Sequence, residues 1–148
     1  MKKRKILVLS GPNLNMLGKR EIPVYGSETL GEIHDEMYLL ADKLSVEITC
    51  SQHNSEEELV QWFKRAPGEF SGVILNAGAY THYSQALCNA IKSSRLPCIE
   101  VHMSNVFSRE EFRHKSVIAS ACIGYITGFG GRSYTLALRA MCDEKILK

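Results

Sequence analysis

Short apolar runs alternate with longer amphipathic stretches along almost the whole chain. Lys5-Ile6-Leu7-Val8-Leu9 is an apolar run ended by Gly11-Pro12 and reads as a buried strand. From Thr29 to Leu44, the residues Leu30, Ile33, Met37, Leu40, Ala41 and Leu44 recur at helical spacing and predict a first long helix. Val46 to Cys50 alternates as a strand does. Ser55-Glu56-Glu57-Glu58 fits a capping box opening a helix that carries Leu59, Val60, Trp62 and Phe63 and stops at Pro67-Gly68. The rhythm continues with a strand over Gly72 to Leu75, a helix over 83–94 and a strand over Cys98 to Val101. A short capped helix from Ser108 to His114, a strand from Val117 to Ile126 and a last helix from Tyr134 to Ile146 complete it.

Five strands joined by helical crossovers imply a parallel sheet covered on both faces. The expected architecture is α/β, a flavodoxin-like doubly wound sheet of order 2-1-3-4-5, forming one domain over 1–148. Residues 12–27 interrupt the rhythm: they contain Pro12, Gly18, Pro23 and Gly26 and follow neither period. A loop of that length inside a compact domain is usually functional, so 12–27 is a candidate lid.

Composition narrows the function. The chain has 148 residues, 45% hydrophobic and 23% charged, which is ordinary globular usage and enough for one core. A net charge of +2 with interleaved signs indicates neither a nucleic-acid stripe nor a membrane face, so the expected partner is a small molecule. Met1-Lys2-Lys3-Arg4-Lys5 resembles the start of an export signal, but only Ile6 to Leu9 follow, short of the roughly 7–15 apolar residues such a signal needs. A cytoplasmic location is expected. The five cysteines include no Cys-x-x-Cys pair and no histidine at ligand spacing, which predicts buried free thiols rather than disulfides or zinc. His34, His53, His82, His102 and His114 are scattered, so neither a metal nor a cofactor is expected. Gly128-Phe129-Gly130-Gly131 lacks the spacing of a dinucleotide or phosphate loop and reads as a turn; Arg132 beside it has no required role.

In an open parallel sheet, ligands bind beyond the carboxyl ends of the strands, near the point where strand order reverses. Three polar clusters fall there: Ser10-Gly11-Pro12-Asn13-Leu14-Asn15, Asn76-Ala77-Gly78-Ala79-Tyr80-Thr81-His82, and Glu100-Val101-His102-Met103-Ser104-Asn105. In the order 2-1-3-4-5 their strands are neighbours, so the clusters converge on one cleft. Glu100 and His102 are two apart on a strand and share a face, where the carboxylate can fix the imidazole tautomer and support acid–base work. A polar strand end with a merely hydrogen-bonded histidine is the bland reading.

The remaining candidates have equally plain alternatives. Asn13 and Asn15 are by default turn formers, Asn76 reads also as a turn residue, and Thr81 as a helix N-cap with His82 in the first turn. Arg20 and Tyr25 share the long loop. A guanidinium beside a phenol favours the phenolate and would make it a base, whereas a solvated arginine and an anchoring tyrosine are the default. Arg113, after Glu110 and Glu111, is either a solvated charge or a clamp for anions and hydroxyls. With no cofactor implied, proton transfer is the most economical chemistry.

Taken in series, Gly11-Pro12-Asn13-Leu14-Asn15-Met16-Leu17-Gly18, Arg20-Glu21 and Val24-Tyr25-Gly26 resemble the opening of the type II 3-dehydroquinate dehydratases. Asn76-Ala77-Gly78 through Thr81-His82, Ile99 through Asn105, and Arg109-Glu110-Glu111-Phe112-Arg113-His114 are similar to that family's later motifs, in order. The resemblance implies a shikimate-pathway lyase, also used in quinate breakdown, converting 3-dehydroquinate to 3-dehydroshikimate without metal or Schiff base, and assembling trimers into dodecamers. It makes Tyr25 the proton acceptor and Arg20 its activator. Asn13 would help hold a water that stabilises the enolate, and His102, oriented by Glu100, would protonate the departing hydroxyl. Asn76, His82 and Arg113 would bind ring hydroxyls, while Met103 and Ser104 would hold the carboxylate.

One position departs from the pattern. Cys88-Asn89 stands where many members carry Arg-Asp, an aspartate that aids substrate binding and contacts a neighbouring subunit's site, so weaker binding or altered subunit coupling is expected of Asn89. Two rival readings remain: a flavodoxin-like module holding a flavin or nucleotide, and a catalytically weakened relative kept as an oligomeric scaffold.

Overall fold

The computed structural model describes residues 3–19 and 21–147. Its centre is a five-stranded sheet of order β2-β1-β3-β4-β5, formed by β1 (Lys5–Ser10), β2 (Glu47–Gln52), β3 (Gly72–Asn76), β4 (Cys98–His102) and β5 (Gly124–Thr127). Every neighbouring pair is parallel, and Ser10 stands in register with both Gln52 and Asn76. The expected topology is therefore the observed one.

Period-two alternation sends the strand residues to two separate cores. Ile6, Val8, Ile74, Ile99 and Val101 pack with Ile33, Met37 and Leu40 of α2 (Leu30–Lys43) and with Tyr134, Leu138 and Met141 of α5 (Arg132–Met141). Leu7, Leu9, Val73, Leu75 and Cys98 pack with Leu59 and Phe63 of α3 (Glu56–Arg65) and Leu87 and Ile91 of α4 (Gln85–Ser94). Each aliphatic side chain buried this way contributes about 1.5–3 kcal/mol. Between Lys5 and Ser10 β1 is wholly apolar, and β3 is apolar until Asn76, because both faces are covered.

Helix starts differ from expectation in instructive ways. The full capping box is at Thr29 and Glu32, each side chain bonding the other's backbone N–H. Ser55 does cap α3, accepting from the Glu58 N–H at 3.4 Å, but the Glu58 carboxylate turns to His53 instead of closing a box. α4 begins at Gln85 with Ser84 as its cap, 3.0 Å from the Leu87 nitrogen, so Thr81 is not a cap. Its hydroxyl is spent elsewhere.

The loops hold more structure than their sequence suggests. Within 12–27 there are a 3₁₀ turn at Leu14–Met16 and a one-turn helix, α1 (Ile22–Tyr25), with Pro23 near its start. The expected helix at 108–114 is two 3₁₀ turns, Val106–Ser108 and Glu111–His114. The expected fifth strand shortens to β5, because Ile118 drops into the core beside α4 and 119–121 forms a 3₁₀ turn. Pairing with β4 begins only where the Ile123 N–H reaches the Cys98 carbonyl at 2.8 Å. α5 runs from Arg132 to Met141, and 142–147 continues as turns. All five cysteines are free; Cys88 and Cys98 are buried, while Cys50, Cys122 and Cys142 are half-buried.

Gly11 is where β1 hands over to the loop. Its N–H donates to the Asn76 carbonyl at 2.7 Å, and a Cβ there would lie 2.6 Å from the backbone oxygen of Ala77. Because that obstacle is backbone, the β1 and β3 ends would have to part. Gly11→Ala is expected to cost about 1–3 kcal/mol of stability. Urea denaturation checks this; an unchanged midpoint would show that the strand ends are not so tightly joined.

Candidate active site

The ends of β1, β3 and β4 open on one cleft of about 240 Å³, a volume suited to a small molecule. Of the residues expected there, Asn13, Tyr25, Asn76, His82, His102, Met103, Ser104 and Arg113 all line it. Glu100 lies directly behind His102. Arg20 falls outside the described residues, and Asn89 is exposed on α4, beside Val60 and Phe63 in a different groove.

β4 builds the acid–base side. Cys98, Glu100 and His102 share the strand face toward α3 and α4, but at Glu100 that face meets hydroxyls rather than apolar side chains. The Glu100 carboxylate is fully buried and accepts from His102 Nε2 at 2.6 Å, Thr81 Oγ1 at 3.0 Å and Ser116 Oγ at 2.8 Å. A carboxylate that accepts at this contact requires a proton on His102 Nε2. Burial first, and then the Glu100 charge, push the neighbouring Tyr125 phenol up to about 12. The Tyr125 ring stands edge-on to the His102 imidazole at 5.5 Å between centroids, fixing its plane.

The opposite sheet face supplies the floor. Ser10 and Asn76 end β1 and β3 on the side of α2 and α5, where the Ser10 hydroxyl lies 2.8 Å from that of Tyr134, a fully buried residue. Burial pushes the Tyr134 phenol up to about 12, against the pull of hydrogen bonds to Ser10 and Asn76. Asn76 Oδ1 accepts from the Gly78 N–H at 3.2 Å, so the amide is held by both the turn and the helix beneath it. The expected turn role and a ligand-facing role are compatible here, as they are at Asn13. Asn13 takes a left-handed φ of 65°, a conformation its short amide tolerates, and it lines the cleft.

The tyrosine side comes from loops. Tyr25, the last residue of α1, receives a hydrogen bond on its hydroxyl from Arg109 Nη1 at 2.8 Å, and the guanidinium lies 5.2 Å from the ring centroid. The same nitrogen donates to Ser104 Oγ at 3.2 Å. Arg109 was missed as a site residue: it stood in a motif with no role, and only its spacing of four from Arg113 hinted at a second cation. Arg113 itself is held by Glu110, which that guanidinium keeps below the usual carboxylate range. His82 Nδ1 lies 2.8 Å from the Lys115 carbonyl, which leaves its other nitrogen for a ligand. Thr81 and Ser116 were missed as well, since nothing in the sequence places either beside Glu100.

Among the described residues, no group of three or more His, Cys, Asp and Glu side chains is arranged to hold a metal ion. No helix among them is long and apolar enough to cross a membrane.

Fold and cleft together define a flavodoxin-like α/β protein with a polar cleft at its strand ends. Comparison makes the assignment specific: residues 4–142 match the family model for Dehydroquinase class II, and the chain belongs to that family. It is 56% identical over 136 residues to a 3-dehydroquinate dehydratase of Pelotomaculum thermopropionicum, covering 92% of this chain and 94% of that one. Its fold is similar to the type II dehydroquinases of Butyrivibrio crossotus (TM-score 0.92, 40% identity, 94% of this chain and 97% of that one) and Propionibacterium acnes (0.91, 38%, 95% and 97%).

Proposed function

We propose that this chain removes water from 3-dehydroquinate to give 3-dehydroshikimate in the shikimate pathway, by a tyrosinate-initiated enolate route without a Schiff base. The observation that carries the reading is that Tyr25 and His102 line one cleft with opposite supports. A guanidinium grips the phenol oxygen, and a buried carboxylate grips the imidazole.

Tyr25 takes the proton from the carbon next to the ketone, and the electron pair moves onto the carbonyl oxygen. That enolate needs a donor already in place, a water held with help from Asn13. The pair then returns to expel the ring hydroxyl, which leaves as water with a proton from His102. Because Nε2–H faces Glu100, Nδ1 is the nitrogen that delivers this proton, with the ring acting as an imidazolium that carries a proton on each nitrogen and returns to the neutral Nε2–H form. Arg109 supplies positive charge at the phenol oxygen, and Arg20 adds to it when 12–27 closes as a lid, assembling the base and excluding bulk water together. Asn76, His82 and Arg113 bind ring hydroxyls, with Arg113 exchanging Glu110 for substrate. Met103 and Ser104 hold the carboxylate.

A flavin or nucleotide role finds no support in the turn after β1. A phosphate cradle needs successive free N–H groups, but the Gly11 N–H is bonded to Asn76, Pro12 has none, and the Asn13 N–H donates to Asn54 Oδ1 at 3.1 Å. We assign the active form as a cytoplasmic dodecamer of trimers, a reading that rests on family resemblance. The exposure of Asn89 away from its own cleft accords with a contact to a neighbouring subunit.

Turnover is read from the ultraviolet absorbance of the conjugated product. Tyr25→Phe is expected to lower kcat by about 10²–10⁴-fold with little change in KM; a near-normal kcat would remove tyrosinate as the base. Arg109→Met should lower kcat by roughly 10²-fold, the scale of one lost donor at a developing charge, and a wild-type kcat would leave Arg20 as the sole activator. Asn89→Asp should lower KM by up to roughly fivefold through a partly exposed ion pair. An unchanged KM and cooperativity would show that the amide already suffices.

A further inference from the structure

Both oxygens of the Glu100 carboxylate are occupied, and Ser116 is the residue that reaches both. Its hydroxyl lies 2.8 Å from Oε1 and 3.0 Å from Oε2, while His102 Nε2 and Thr81 Oγ1 share Oε2. Ser116 Oγ also accepts from the Ala119 N–H at 3.0 Å, which occupies one of its two lone pairs and leaves its one proton directed at the carboxylate. The segment carrying it is fastened on both sides: the Val117 N–H donates to the Thr81 carbonyl at 2.8 Å, and the Lys115 carbonyl meets His82 Nδ1. Residues 115–117 thus tie His82, Thr81 and the Glu100–His102 pair together, two positions after Arg113.

We propose that Ser116 is a positioning residue for the dehydration: its hydroxyl keeps the Glu100 carboxylate aimed, so that His102 holds Nε2–H toward Glu100 and presents Nδ1 to the leaving hydroxyl. The inference rests on the reading of His102 as the acid. Ser116 is the donor that reaches Oε1; without it that buried oxygen loses its partner and the carboxylate is free to turn. Once the carboxylate turns, Nε2 loses the acceptor that fixes the plane of the ring. The chemical step is then slowed while the substrate contacts are untouched.

The experiment measures kcat and KM for the wild type, Ser116→Ala, Ser116→Thr and Thr81→Val. Ser116→Ala is expected to lower kcat by about tenfold, the scale of one donor lost from a carboxylate. Its KM should stay within about twofold, since no substrate contact is removed. Ser116→Thr should restore kcat. Thr81→Val removes a different hydroxyl from the same carboxylate and keeps the Lys115 carbonyl that His82 bonds, and should lower kcat in the same way. It carries the test alone if Ser116→Ala does not fold. A kcat unmoved in both variants overturns the proposal, as does a loss of kcat that threonine does not restore or that comes with an equal rise in KM. His102→Asn with wild-type kcat would instead refute the acid assignment itself, leaving a distinct signature.

Discussion

Holding an ionised carboxylate out of water costs several kcal/mol unless donors surround it, and that requirement at Glu100 shapes this molecule around its cleft. Glu100 sits on an interior strand, between β3 and β5, with no exposed surface. Its donors arrive from three places: His102 on its own strand, Thr81 from the turn after β3, and Ser116 from the segment before β5. Meeting the charge therefore fixes where each of those segments lies. Residues flanking the donors, His82 and Arg113 among them, inherit their positions from it. Catalytic geometry here follows from the demand that a buried charge be satisfied.

A second histidine–carboxylate pair shows why the arrangement at His102 is different in kind. His53 meets the Glu58 carboxylate through Nδ1, and its Nε2 lies 2.6 Å from Ser51 Oγ, which looks like a nucleophile relay. The Trp62 indole, which can only donate, also reaches Nε2 at 2.7 Å. Both ring nitrogens are therefore consumed within the protein, and Glu58 is largely exposed. The group joins α3 to the end of β2. At His102 the described residues take Nε2 alone, and the ring borders the cleft.

Much of this was legible in the chain because two periodicities report directly on geometry. The alternation of apolar runs gave the strands and their parallel sheet, the strand order being the one usual for a flavodoxin-like sheet, and the two-residue spacing of Glu100 and His102 placed them on one face. The three polar strand ends converge as neighbouring strands must. Short-range signals were more ambiguous: Ser55 and Glu58 have capping-box spacing, but Glu58 is drawn to His53, while Thr29 and Glu32 close the box. Thr81 has a good N-cap side chain, yet the carboxylate of Glu100 is the stronger acceptor, and Ser84 takes the cap. The stretch 117–126 is apolar enough for a long strand, but Ile118 is needed under α4. Arg109 could not be chosen from sequence, since its partner Tyr25 is distant in the chain and is reached only through tertiary folding.

The two halves of the cleft differ in how they are built. The His102 half lies on β4 and is locked by a buried hydrogen-bond network, so its geometry is set by the sheet. The tyrosine half is carried on a one-turn helix whose residues before Tyr25 are exposed, and its hydroxyl is held from 3₁₀-rich loops by Arg109. Arg109 also bonds Ser104, which follows His102 by two residues. One guanidinium therefore spans the junction between the loop that carries Tyr25 and the strand end that carries His102. The Glu100 network takes none of its donors from 12–19 or 21–27, so the position of Tyr25 and that of His102 are set by separate sets of contacts, joined at Arg109.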